Sequence, residues 1–381
     1  MTELSVAVHG VTGRMGYHQH LVRSLLAIRE QGGAPLPGGD RVTVRPVLVG
    51  RDAGRLREIA HRHDVADWTT DRDAVLADPK IDVFFDAALT DGRAALLRAA
   101  IAAGKHVYTE KPVAATLADA VAVARAARDR GIVHGVVQDK LFLPGVRKLR
   151  RLVESGFFGR ILSARLEFGY WVFEGDWQPA QRPSWNYRAD AGGGIVLDMF
   201  PHWRYLLEGV IGPVEALYVR TATHIPARWD EHGERYAATA DDAAYAVLEL
   251  AGGVVASVNS SWAVRVHRGE LVQLQVDGTE GSAVAGLREC VVQHRSTTPR
   301  PVWNPDQPVT EDFLAQWTPV PDNTVFDNGF KAQWELFLAH VVRGEPFPWD
   351  LGSGAKGVQL AELAYQSAAS GRRVTVPELE L

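Results

Sequence analysis

Short apolar runs alternate with stretches of helical spacing along the first 137 residues. Leu4–His9 is an apolar run leading into a glycine turn, and helical spacing follows from about Arg14 to Glu30. Arg41–Val49 is rich in β-branched residues and predicts a second strand, with a helix over Ala53–His63 after it. Ile81–Ala87 is mostly apolar, around a Val83–Phe85 core, as a strand buried on both faces would be. Gly92–Ala103 reads as a helix stopped by Gly104, and His106–Thr109 as a strand. Leu117–Arg130 reads as a helix stopped by Gly131, and Ile132–Val137 as a further strand. Apolar strands separated by helices predict a parallel sheet covered on both faces. The Gly/Pro-rich stretch 32–40 reads as a loop insertion.

The rhythm changes after about residue 150. Ile161–Trp171, Val214–His224, Ala243–Leu250, Val254–Trp262 and Leu271–Val276 are longer, often alternating, and mostly lack helices between them. This predicts a largely antiparallel sheet with one packed face and one open face. Asp327–Val342 and Gly354–Ala369 return to helical spacing.

Composition narrows the classes. A length of 381 residues suits two domains, and 46% hydrophobic with 23% charged residues is ordinary for a globular chain. The single cysteine, Cys290, excludes an intramolecular disulfide framework and any multi-cysteine metal site. With 41 basic against 46 acidic side chains and a net charge of −5, nucleic acid is not the expected partner. No apolar stretch is long enough for a bilayer, and the N-terminus lacks the basic and apolar segments of a secretion signal. A cytoplasmic protein without membrane contact is expected. Eleven tryptophans are the one oddity.

Gly10, Gly13 and Gly16 lie between the first strand and first helix, where glycine permits a tight turn and close approach of backbone to a pyrophosphate. With Thr12, Arg14 and Met15 they form the expected phosphate-binding turn; a plain structural turn is the alternative. The expected fold class is therefore α/β, with an N-terminal Rossmann dinucleotide-binding domain over 1–137. An α+β domain with an open-faced, largely antiparallel sheet follows over 138–381. Its closing helices either stay with it or pack back on the first domain. The second strand ends in Gly50-Arg51-Asp52. Arg51 suits stacking on adenine and pairing with a 2′-phosphate, and Asp52 is one or two positions late for the ribose contact of NAD. NADP is the expected cofactor, with NAD the alternative, unless Arg51 and Arg55 are only a solvated helix start.

Tyr108-Thr109-Glu110-Lys111-Pro112 resembles the Glu-Lys-Pro motif of the Gfo/Idh/MocA oxidoreductases. The residues before it, 102–108, and the segments Leu152–Gly156 and Gly159–Leu162 resemble that family in order. So do Gly192-Gly193-Gly194 with Asp198 and His202, the Asp327-Asn-Gly-Phe segment, and Gly371-Arg-Arg-Val. The resemblance implies a Rossmann domain for cofactor and an open-faced sheet domain for substrate, often joined through that sheet into a dimer or tetramer. It adds Ala88, Glu110, Lys111 and Gln138 to the expected cofactor contacts. It also implies that His202 takes the proton of a secondary hydroxyl while Lys111 stabilises the oxygen and Asp198 positions the substrate. Alone, His202 would equally be a core histidine and Asp198 a cap or ion-pair partner. Being four residues apart, both face one side of a helix, and the glycines before them would admit nicotinamide or sugar.

Two departures bear on the substrate. Tyr205 stands where the family often has aspartate, and Gln138-Asp139-Lys140 replaces an Asn/Arg-containing loop. Trp171, Trp177, Trp185 and Trp203, with Tyr187, Arg182, Asn186 and Arg188, suggest an aromatic wall and polar rim for a sugar ring, although any one of the tryptophans would as readily fill a core. Lys140, Trp171, Trp185, Asn186, Tyr187, Asp198, His202 and Lys111 are the expected substrate contacts. Arg204 suits either an anionic ligand group or an acidic neighbour, and the 224–229 loop either substrate or a neighbouring subunit. The expected reaction is NAD(P)-dependent hydride transfer at a ring hydroxyl of a sugar, glycoside or inositol, C3 of a pyranoside included. The alternatives are an NAD-dependent glycosidase working by transient C3 oxidation and a non-catalytic nucleotide sensor. A dihydrodipicolinate-type reductase, suggested by Gly13-Arg-Met-Gly16, would require a paired-histidine segment that is lacking. No metal site is expected.

Overall fold

The N-terminal alternation of apolar runs and helices builds a seven-stranded sheet in the computed structural model. Residues 2–170, 175–177, 182–265, 267, 269–300, 304–308 and 310–381 are described. Strands β1 (Thr2–His9), β2 (Arg41–Val49), β3 (Asp67–Thr69), β4 (Val83–Asp86), β5 (His106–Thr109) and β6 (His134–Val136) are parallel, in spatial order β3-β2-β1-β4-β5-β6. The stretch 32–40 is more than a loop: Ala34–Pro35 pairs antiparallel with the start of β2. Helix α1 follows the glycine turn, wound as a π-helix over Met15–Leu26 and as an α-helix over Ala27–Glu30. The others are α2 (Ala53–Arg62), α3 (Arg72–Ala77), α4 (Arg93–Ala102) and α5 (Leu117–Arg130). Asp52, Asp71 and Thr116 cap α2, α3 and α5 by accepting backbone N–H groups, and Gly131 at φ 69° closes α5. Strand β3 and helix α3 are too short for periodicity to reveal.

Two apolar clusters cover this sheet. Val6 and Val8 of β1 join Leu21, Leu25, Trp334 and Phe337 in one, whereas Ala7 joins Phe84, Leu97, Val123 and Leu351 in the other. Helix α8 (Gly329–Arg343) thus supplies one cluster and the start of α9 (Leu351–Ser370) the other. The first compact unit accordingly contains 1–142, 327–362 and 378–381, so a cut at 137/138 does not divide the chain cleanly. The reason is coverage: helices α1–α5 leave apolar sheet surface that α8 and α9 bury.

The second unit contains 143–326 and 363–377. Its nine-stranded sheet comprises β7 (Ile161–Gly169), β8 (Val214–Ala222), β9 (Ala243–Leu250), β10 (Val254–Ser261), β11 (Val272–Gly278), β12 (Gly281–Ala285) and β13 (Cys290–His294), with short strands Thr318–Pro319 and Val374–Thr375 at the edges. The order is β13-β12-β11-β7-β10-β9-β8 between those edges. Pairing is antiparallel except between β7 and β10, which makes the sheet mixed. Leu166, Val219, Leu248, Val258 and Leu274 are buried on one face. Helix α7 (Ile195–Val210) packs on β8–β10, and α6 (Pro144–Glu154) on β12 and β13. On the other face Tyr218, Tyr245, Val247 and Val255 are exposed.

Candidate active site

The strand order of the first unit reverses between β1 and β4, and ligands of such sheets bind beyond the carboxyl ends of the strands at that point. Gly10, at φ +77°, follows β1 there; a Cβ on it would lie 2.5 Å from Ala88 N. A Cβ on Gly16 would lie 2.4 Å from Gly10 O, so the turn and the start of α1 touch backbone to backbone. The Gly13 N–H donates to Gly10 O at 3.0 Å and closes the turn. Thr12 and Met15 are half-buried and Gly13 and Arg14 exposed, and no acidic side chain stands in the first turn of α1. This cradle, with the positive end of a helix facing it, fits the diphosphate of a dinucleotide. Gly50 is buried, with its missing Cβ 3.4 Å from Leu56 and 3.6 Å from Thr12, which brings the end of β2 beside the turn. Arg51 and Asp52 are exposed, and Asp52 Oδ1 accepts the Arg55 N–H at 3.0 Å.

Lys111 follows β5, half-buried, and its peptide bond to Pro112 is cis. Arg93, at the start of α4, organises this loop. Its Nε donates to Asp86 Oδ2 at 2.7 Å, and its Nη1 donates to the carbonyls of Glu110 at 3.0 Å and Pro112 at 2.6 Å. His9 Nδ1 lies 2.6 Å from Asp86 Oδ1. Burial pushes the Asp86 carboxyl up, but His9 and Arg93 outweigh it and hold the group below the usual carboxylate range. Sequence reading passed over this trio. Its one signal was an aspartate ending an otherwise apolar strand. Ala88 abuts the glycine turn through its backbone and donates its N–H to Asp86 Oδ1 at 3.2 Å. Gln138, an expected cofactor contact, has a buried side chain that donates to Ser353 Oγ at 3.1 Å, tying β6 to α9. Lys140 Nζ is 3.7 Å from Asp139 Oδ1.

In the second unit, α7 presents Asp198 and His202 one turn apart. The N-terminus of α7 is held by Asp241, whose Oδ2 accepts the Val196 N–H at 2.9 Å and whose Oδ1 accepts the Tyr365 hydroxyl at 2.6 Å. The glycines before α7 serve internal packing. A Cβ on Gly193 would lie 2.5 Å from the carbonyls of Trp185 and Asn186, and one on Gly194 would lie 2.6 Å from Asp241 Oδ1. Asp198 Oδ2 accepts Arg182 Nη1 at 2.6 Å, and that guanidinium lies 5.0 Å from the Trp262 ring centre. Asn186 is buried beside it, with Oδ1 3.4 Å from the same Nη1. His202 is buried, and its Nδ1 lies 2.7 Å from the Tyr205 hydroxyl.

The aromatic residues divide. Trp177 and Trp185 are exposed, while Trp171 lies outside the described residues. Trp203 is fully buried and donates to Ser260 Oγ at 3.2 Å, which makes it core. Tyr187, expected against substrate, is buried between Trp262 and the Arg228 guanidinium, and burial pushes its hydroxyl up to about 12. It supports the loop from below. Arg228 itself is buried and donates to Asp242 Oδ2 at 2.7 Å, and Arg204 pairs with Glu208 at 2.7 Å. A cavity of about 430 Å³ in this unit is lined by Gly193, Leu197, Thr223, Thr239, Asp241 and Tyr365 among others, none of them an expected sugar contact.

Residues 4–137 match an oxidoreductase family with an NAD-binding Rossmann fold, and residues 146–284 match the GFO/IDH/MocA C-terminal domain. D-xylose dehydrogenase of Paenarthrobacter nicotinovorans is 59% identical over 380 residues, covering 99% of this chain and 98% of that one. The chain belongs to the Gfo/Idh/MocA oxidoreductase family. This family member is thus an enzyme, an NAD(P)-dependent oxidoreductase acting on CH–OH groups, with its Rossmann domain first and a mixed-sheet domain second. Levoglucosan dehydrogenase of Pseudarthrobacter phenanthrenivorans is 29% identical over 256 residues, covering 63% of this chain and 64% of that one. A solved levoglucosan dehydrogenase in complex with NADH and levoglucosan is 26% identical with a TM-score of 0.80, covering 99% of this chain and 100% of that one.

Proposed function

We propose that this oxidoreductase is a sugar dehydrogenase whose substrate is a free aldopyranose, D-xylose foremost. The observation that carries the reading is the 59% identity to D-xylose dehydrogenase over 99% of the chain. In a free aldose the anomeric hydroxyl is the one whose oxidation yields an ester, a lactone, and we assign the reaction to C1. Lys111 donates a hydrogen bond to the reacting oxygen and stabilises its developing charge. His202 takes the proton at Nε2, its Nδ1 being engaged by Tyr205. Asp198, beside Arg182 and Asn186, orients the ring through its hydroxyls. When bound, the nicotinamide supplies the hydride acceptor. Arg51 would hold a 2′-phosphate through its exposed guanidinium, and NADP is the preferred cofactor in this reading. The exposed Tyr218, Tyr245, Val247 and Val255 join two copies through the second sheet.

A panel of D-xylose, methyl β-D-xylopyranoside and levoglucosan separates the possibilities. Reduction of NADP with xylose, and trapping of the lactone as its hydroxamate, are expected, with no turnover of the other two sugars, which lack an anomeric hydroxyl. Turnover of the glycoside with release of a keto sugar would move the reaction to a ring hydroxyl such as C3, and release of methanol would indicate a glycosidase. Fluorescence titration with NADPH and NADH tests the cofactor. Arg51→Ala is expected to weaken NADPH alone, and tighter binding of NADH by the wild type would refute the role of Arg51.

A further inference from the structure

Beneath Lys111 runs a chain of buried polar contacts that the reaction described above leaves unused. Glu110 is 7% exposed. One of its oxygens, Oε1, lies 2.8 Å from His20 Nε2, and the other, Oε2, accepts the backbone N–H of Lys111 at 3.1 Å. His20 is fully buried on α1 among Phe85, Phe330 and Trp334. Its Nδ1 accepts the indole N–H of Trp334, 314 positions away in the chain, at 3.0 Å. An indole only donates, so Nδ1 carries no hydrogen and the ring proton sits on Nε2, facing the carboxylate. Arg93 holds the carbonyls of Glu110 and Pro112 on either side. The main chain around Lys111 is therefore fixed at its N–H and at both flanking carbonyls. An apolar side chain in place of His20 would leave Glu110 Oε1 buried without that donor, so packing alone does not account for the pair.

We propose that His20 is a positioning residue: oriented by Trp334, it keeps Glu110 a carboxylate whose second oxygen fixes the Lys111 backbone, so that the lysine meets the reacting oxygen in one orientation. This rests on the reading of Lys111 as the partner of that oxygen. The titratable and charged groups around Glu110 are His20 from α1, Arg93 from α4, and Lys111 and Tyr108 from its own segment. Burial pushes Glu110 up; the His20 bond, with Lys111 and Arg93, outweighs it and keeps the carboxyl below its ordinary range. Removing the His20 donor leaves burial with less opposition, and Glu110 takes up a proton at higher pH.

The test is kcat and kcat/KM for D-xylose from pH 4 to 9 in wild type, His20→Leu, His20→Gln and Lys111→Ala, with NADPH affinity and circular dichroism measured on each. His20→Leu is expected to lower kcat about tenfold and to move the acid limb to higher pH, with cofactor affinity little changed. His20→Gln, whose amide still offers a donor, is expected to restore the limb. Equal losses in both variants with an unmoved pH profile would reduce His20 to packing and overturn the proposal. If His20→Leu does not fold, Trp334→Phe removes the indole donor and frees the other tautomer. A smaller shift in the same direction is then expected, and an unmoved profile overturns the proposal there too. Undiminished turnover in Lys111→Ala would instead remove the reading of Lys111, a failure distinct from that of His20.

Discussion

Gly16 is an exacting position in the cofactor half, because a Cβ on it would lie 2.4 Å from the Gly10 carbonyl oxygen. Alanine there must push the turn off the start of α1, whose amides are proposed to bind the diphosphate. Gly16→Ala is expected to raise the Kd for NADPH at least about tenfold. Fluorescence titration reads this directly, and an unchanged Kd would show that the dinucleotide does not sit on this turn. The groups proposed to react have a different signature. Lys111→Ala and His202→Ala are each expected to lower kcat by about 10²–10⁴-fold with NADPH affinity kept, as for loss of a charge stabiliser or a general base. Single-turnover kinetics at saturating sugar separates that loss from a rise in KM.

Helices in both units are held at their starts by buried charge. Arg93 at the head of α4 binds one carboxylate and several carbonyls, a planar fork that no other side chain reproduces. Arg93→Met removes the cation from the buried Asp86 and leaves it His9 and the Ala88 N–H, and is expected to cost about 3–5 kcal/mol in urea unfolding. A loss under about 1 kcal/mol would mean that the loop after β5 holds its shape by packing alone. At α7 the corresponding group is Asp241, which receives both the Val196 N–H and the Tyr365 hydroxyl. Its burial pushes the carboxyl above its ordinary range. That contribution to stability is greatest in acid and is lost as pH rises through the folded-state value.

Across the whole molecule the opposite sign prevails. Asp86 and Glu110 are held below the usual carboxylate range, so the stability they contribute is present above it and lost as pH falls through their folded-state values. His63, His106 and His134 are lowered by burial, and their contribution is likewise lost as pH falls through the histidine range and below. Tm is expected to decline continuously from pH 7 to pH 4, with the Asp241 term blunting the fall only at the acid end; a flat profile by calorimetry would contradict this assignment. The exposed tyrosines and valines of the second sheet lead to the remaining expectation. Val247 pairs with Tyr218 on one side and Ser257 on the other, at the middle of that face. Val247→Glu is expected to lower the mass measured by light scattering, and a wild type that is already monomeric would refute the interface.

How much of this was legible depended on the range over which the deciding forces act. The glycine turn, the apolar parallel strands and the helix stops are local, set by backbone sterics and by spacing within a few residues, and their positions follow from the sequence. Asp198 and His202 are four apart on one helix, so their shared face was also legible. What surrounds them was not. The burial of Tyr187 and Trp203, the internal use of the glycines before α7, and the pairing of Arg182 with Asp198 arise where distant segments compete for the same space. The same holds for α8, whose periodicity announces a helix but not the sheet it covers. Sequence alone determined the longer elements and which chemistry is available. Only the tertiary structure decided which polar groups are buried together, as Trp334, His20 and Glu110 are, because the desolvation that makes such groups pair exists only once the chain has closed around them.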